Sequence, residues 1–154
     1  MKIQETPLLP ADTPQGLKVA LTKFMRESSN EINHQDIAII IAVGDETTAI
    51  TTGTAKVTFR MPYAIDMKEI RGSLSTAQTS GNIFTVDVNN GTSVLTTKLT
   101  IDNGEKTSTT AATPAVLTYA TTQIFADSEI TIDVDQIGDG TAKGLKVTLI
   151  GRMV

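Results

Sequence analysis

Beyond Gly44 the chain keeps returning to one pattern, an apolar residue at every second position followed by a turn. Glu129–Ile137 is its clearest form, with Ile130, Ile132 and Val134 on one side and Thr131, Asp133 and Asp135 on the other. A period of two fits a strand with one buried and one wet face. A helix cannot satisfy it, because helical side chains return to the same face only after three or four residues. Ile83–Asn89 repeats the pattern, with Phe84, Val86 and Val88 inward and Thr85 and Asp87 outward. Ala55–Met61 carries Val57, Phe59 and Met61, Met67–Ser75 carries Ile70 and Leu74, and Ser93–Ile101 carries Leu95, Leu99 and Ile101. In Lys143–Ile150, Leu145, Val147 and Leu149 alternate with Lys146 and Thr148. Asn90-Gly91 and Asn103-Gly104 are pairs favoured in two-residue type I′ hairpins, and Gly138-Asp139-Gly140 separates the last two strands. Strands in series at hairpin spacing, with no second helical pattern, predict a mainly β chain. The expected architecture is an antiparallel β-sandwich of jelly-roll type.

Threonine fits this reading. The chain has 26, of which 23 follow Val43. A β-branched side chain suits a pleated sheet while its hydroxyl tolerates water, so threonine belongs on the solvent face of half-buried strands and in polar loops. It is not a sign of hydroxyl-based catalysis.

The first 43 residues follow other rules. Pro7, Pro10 and Pro14 bracket Leu8 and Leu9, and prolines this dense favour an extended arm. Asp12 or Thr13 can cap a helix that opens on Pro14, where the missing N–H does no harm. Leu17, Leu21, Phe24, Met25 and Ile32 recur at helical spacing, which predicts one amphipathic helix over 14–31. Ile37–Val43 is short, apolar and β-branched, and is expected to be buried on both faces or against another subunit. The division expected is 1–43 for arm, helix and apolar strand, serving attachment or oligomerisation, and 44–154 for the sandwich.

Chemistry is sparse. With no cysteine, thiol nucleophiles, Cys-ligated metals and redox exchange are excluded. His34 is the single histidine, and its neighbours Ser28, Ser29 and Asp36 make no triad by sequence proximity alone. Asp133-Val-Asp135-Gln-Ile-Gly-Asp139-Gly140 invites a calcium reading, but the EF-hand pattern fails at Ile137 and Gly144, where ligands would be required. With only six aromatic residues (Tyr63 and Tyr119 among them) and no tryptophan, the chain lacks the platforms usual in glycan sites. Net charge of −4 argues against nucleic acid as a partner. No apolar run is long enough for a membrane span, and Met1–Asp12 has no signal-peptide character, so export is not expected. No enzyme activity, cofactor or metal is expected. The candidate interaction residues are Leu8, Leu9, Leu17, Leu21, Phe24 and Met25.

Four segments carry a resemblance: Asp45–Tyr63 with its Phe-Arg-Met-Pro motif (Arg60 and Pro62), Gly91–Thr110, Glu129–Gly138 and Lys143–Gly151. Together they resemble a β-sandwich domain found in virion proteins of tailed bacteriophages, where it occurs in trimeric head decoration (cement) proteins and in collar or tail fibre modules. The resemblance implies a structural virion protein that binds the major capsid protein on the outside of the head as a homotrimer. The alternative is a tail or collar fibre protein engaged in host attachment. A carbohydrate-binding module is a third reading, and a glycan ligand is not favoured. The resemblance carries no catalytic residues, and it does not extend over residues 1–43.

Overall fold

Residues 14–32, 36–119 and 122–154 are described by the structure, a computed structural model. The chain divides into two compact units at Gln35–Asp36.

The first unit contains α1 (Pro14–Ile32), which opens on proline as expected. Lys23 and Glu27, one turn apart, approach to 3.8 Å, and the Thr22 hydroxyl donates to the Lys18 carbonyl at 2.8 Å.

The second unit is the sandwich. Its strands are β1 (Asp36–Ala42), β2 (Gly53–Arg60), β3 (Ile65–Ser73), β4 (Phe84–Asn90), β5 (Thr92–Ser93) and β6 (Leu95–Thr97), followed by β7 (Leu99–Ile101), β8 (Val116–Leu117), β9 (Gln123–Ile124), β10 (Glu129–Gln136) and β11 (Lys146–Met153). One sheet has the order β1-β11-β3-β9 and the other β2-β10-β4-β5, with β7 also on β4; β6 and β8 form a small ribbon. The chain doubles back on itself so that β1 pairs with β11, β2 with β10, β3 with β9 and β4 with β7, all antiparallel. Strands β1 to β4 alternate between the two sheets, as do β9, β10 and β11, which is the winding of a jelly roll.

The core lies between the two inner faces and includes most of the residues whose alternation predicted it, joined by Ile50, Ile65, Met67, Val94, Ile124 and Ala142, while Val57 and Phe59 are only half-buried. Phe84, Val86 and Val88 of β4 meet Ile130, Ile132 and Val134 of β10, with Leu145, Val147 and Leu149 contributed from the other sheet. Burial of these apolar rows supplies the main driving force for folding.

Four local expectations are revised. The apolar strand Ile37–Val43 belongs to the sandwich, because β1 pairs with β11 along its whole length from Asp36↔Arg152 to Ala42↔Lys146. It is not buried on both faces: Ile37, Ile39 and Ile41 are half-buried against the core, whereas Ala38, Ile40 and Ala42 are exposed. The segment Ser93–Ile101 is not one strand. Val94 and Leu95 are both buried, and a straight strand cannot turn two successive side chains to one face, so the backbone breaks into β5, β6 and β7. The turns also differ from type I′. Asn90 pairs with Thr92 across Gly91 (φ +72°), and at Asn103-Gly104 only the glycine has positive φ (+84°), with the Glu105 N–H bonded to the Asp102 carbonyl, a type II arrangement.

Candidate interaction surface

Leu17, Leu21, Phe24 and Met25 project from α1 with 55% to 67% of their surface exposed. Helical spacing brings Leu17, Leu21 and Phe24 onto one side with Met25 beside them. Apolar groups gathered this way make a surface suited to another apolar surface. Leu8 and Leu9, the other two interaction candidates, lie outside the described residues, as does His34.

The acidic residues that invited a metal reading are each engaged by protein donors. The two Asp133 oxygens accept from the Ala55 N–H at 2.7 Å and the Asn89 amide at 3.0 Å. Asp135 binds Lys98 at 2.6 Å, and the same ammonium lies 3.1 Å from Asp87, so two carboxylates, Asp135 first, hold the lysine pKa above its ordinary value. Asp87, expected on the wet face, is only 5% exposed, because Ser93 and Lys98 close over it. Its carboxylate accepts from the Ser93 hydroxyl at 2.6 Å and the Val88 N–H at 2.8 Å. Among the described residues no group of three or more acidic or histidine side chains is arranged to hold a metal ion.

Asp139, between the two glycines of the last long loop, ties that loop to the segment before β4. One of its oxygens accepts from the Thr79 hydroxyl at 2.7 Å, the Thr79 N–H at 2.9 Å and the Ser80 N–H at 3.1 Å. The other accepts from the Thr141 hydroxyl at 2.6 Å and the Thr141 N–H at 3.1 Å. The hydroxyls of Thr141 and Thr79, followed by the Thr79 N–H, hold the Asp139 carboxyl well below the usual carboxylate range. Asp45 is treated alike: one oxygen accepts from the Thr48 N–H at 2.6 Å, the Thr47 N–H at 2.7 Å and the Thr47 hydroxyl at 2.8 Å. Its pKa is depressed for the same reason, with the Thr48 N–H foremost. Part of the threonine excess therefore binds carboxylates within loops, beyond its role on strand faces.

One polar residue at the centre of this region was not singled out from the sequence. Gln78 is fully buried. Its amide nitrogen donates to the Asn82 carbonyl and to Asn103 Oδ1, both at 2.6 Å, and its amide oxygen accepts from the Gly138 N–H at 2.7 Å. Three loops thereby meet on one side chain. Its sequence context, Ser75-Thr-Ala-Gln-Thr-Ser80, is polar apart from Ala77 and carries no periodicity that could mark Gln78 as interior.

The geometry is that of a cross-braced scaffold with apolar side chains displayed on a separate helix. No protein-family model matches the chain, no curated protein matches it in sequence, and no solved structure matches it. No helix among the described residues is long and apolar enough to cross a membrane.

Proposed function

We propose that this chain is a structural component of a tailed-bacteriophage virion, a decoration (cement) protein that binds the major capsid protein on the outside of the head. The observation that carries the reading is the exposed apolar stripe Leu17, Leu21, Phe24 and Met25, borne on a unit distinct from a jelly-roll sandwich. A rigid domain with a separate apolar attachment element suits repeated docking on a lattice, where many weak contacts add through avidity. The way Asp45, Asp87, Asp133, Asp135 and Asp139 are consumed in internal hydrogen bonds supports a scaffold role over a reactive one. The resemblance of Asp45–Tyr63, Gly91–Thr110, Glu129–Gly138 and Lys143–Gly151 to phage virion sandwiches supplies the biological setting.

The test is reconstitution. Purified protein is added to heads prepared without it, and bound copies are counted and located by electron microscopy. Occupancy spread over the whole head supports the proposal. Label confined to the tail or collar favours the fibre reading, and absence from every part of the particle removes both. The double variant Leu21→Asp/Phe24→Asp should lose binding while the protein melts at an unchanged temperature, since both side chains are exposed.

A further inference from the structure

A sheet has two edges, and each long edge exposes a row of backbone donors and acceptors that can recruit another strand. Three of the four sandwich edges are blunted. β9 and β5 are two residues long and β7 three, too short to template a partner. The edge strand β2 is longer but guarded. Its register against β10 slips between Ile132 and Val134, opposite Ala55 with φ +47°, and it carries Lys56 and Arg60. Bulges and lysines are the usual devices against edge-to-edge pairing.

β1 has none of them. Its seven residues, Asp-Ile-Ala-Ile-Ile-Ile-Ala, contain no proline, glycine or lysine, and they pair with β11 without a register shift. Its single charge, Asp36, is at the very end and is engaged by Lys68 and by Arg152 at 3.7 Å. Among the described residues only β11 pairs with it. The direction of its backbone groups follows from the Val43 N–H, which donates to the Leu145 carbonyl at 2.8 Å. Alternate residues of an antiparallel strand bond to opposite sides. Ile37, Ile39 and Ile41 therefore turn their N–H and C=O groups to β11, while Asp36, Ala38, Ile40 and Ala42 turn theirs outward. On this edge Ile40 is 67% exposed.

We propose that the free edge of β1 binds β1 of a second copy, antiparallel across a two-fold axis at Ile39, joining two four-stranded sheets into one of eight strands. The sequence of β1 is complementary to itself in this register. Ile37 faces Ile41 of the partner subunit and Ile39 faces its own counterpart, which closes the half-buried isoleucine row on the core side. On the outer face the exposed Ile40 lies beside the small Ala38 of the partner subunit, and the outward-facing groups of Ala38 and Ile40 bond to each other in both directions. A centre moved by one residue would instead oppose Ile40 to Ile40 and Ala38 to Ala42, which places large beside large and small beside small. Such an isologous pair differs from the threefold arrangement that the phage resemblance implies, and it stands independently of the function proposed above.

Full-length protein examined by light scattering should have twice the 16.4 kDa chain mass at high concentration. Because the chain has no cysteine, Ile39→Cys introduces a single thiol. In a non-hydrogen-bonded antiparallel pair the two Cβ atoms approach within about 4.5–5.5 Å, close to disulfide range. Mild oxidation should then give a covalent dimer. Ile37→Cys, four positions from its own counterpart, should give none. Ala38→Pro removes an N–H that β11 does not use, so it should leave the fold intact and weaken dimerisation at least about tenfold. In the unmodified protein, the Ala38 and Ile40 amides should exchange with solvent more slowly as concentration rises. A monomer at all concentrations, a trimer, or equal cross-linking at positions 37 and 39 would overturn the proposal.

Discussion

Gln78 shows what one side chain can hold. Replacing it with leucine keeps the volume but leaves the Gly138 N–H, the Asn82 carbonyl and Asn103 Oδ1 without their partner. The expected loss is about 2–4 kcal/mol, measured as a lowered urea midpoint with an unchanged slope. Gly138 is the matching backbone position: a Cβ there would lie 2.2 Å from the Ser80 carbonyl oxygen and 2.9 Å from that of Asn82. Gly138→Ala should therefore cost about 1–3 kcal/mol by the same measurement, because a backbone oxygen cannot step aside as a flexible side chain can. The carboxylates make a pH prediction. Asp45 and Asp139 have folded pKa values below the unfolded value of about 3.9, so the unfolded chain binds more protons near pH 3–4. Their contribution is fully present above that unfolded value and is lost as pH falls toward the folded values. Urea midpoints taken from pH 7 down to pH 3 should drop at the acid end, and Asp139→Asn should shallow that drop. Gln78 could not be found from its polar neighbours, since two of its partners, Asn103 and Gly138, are 25 and 60 positions away and only the fold brings them to it. Asp139 was visible as a loop residue, but its partners Thr79 and Ser80 are brought to it only by the fold.

At the scale of elements, period-two alternation located the long strands because each has one face on the core and one toward water, the condition under which the pattern carries information. It failed where that condition fails. At Val94-Leu95 two adjacent side chains enter the core, and at β1 an all-apolar run reads the same whether its second face is buried or exposed. The helix was legible through Pro14 and the spacing of Leu17, Leu21 and Phe24, although nothing in that spacing says what the stripe touches. The expected mutational contrast follows from burial. Ile132, fully buried in the middle of β10, should lose about 2–5 kcal/mol on substitution by alanine. Phe24→Ala, at an exposed position, should stay within about 0.5 kcal/mol. Parallel thermal melts of the two variants would check the pair.

For the whole molecule, the break at Gln35–Asp36 predicts that residues 36–154 fold without the first unit. The fragment should keep a β-type circular dichroism spectrum and melt cooperatively; a molten spectrum would show that the sandwich depends on the segment removed. The same fold also sets a timetable. In β1 and β11, the first sandwich strand to be synthesised pairs with the last, Ile39 meeting Leu149 about 110 positions later. At translation rates of about 5–20 residues per second, β1 waits roughly 5–20 s for its neighbour to be made. During that interval Ile37, Ile39, Ile40 and Ile41 leave the ribosome on a strand with neither edge occupied. Nascent chains on one polysome carry this segment side by side, each exposing it until its own β11 has been made.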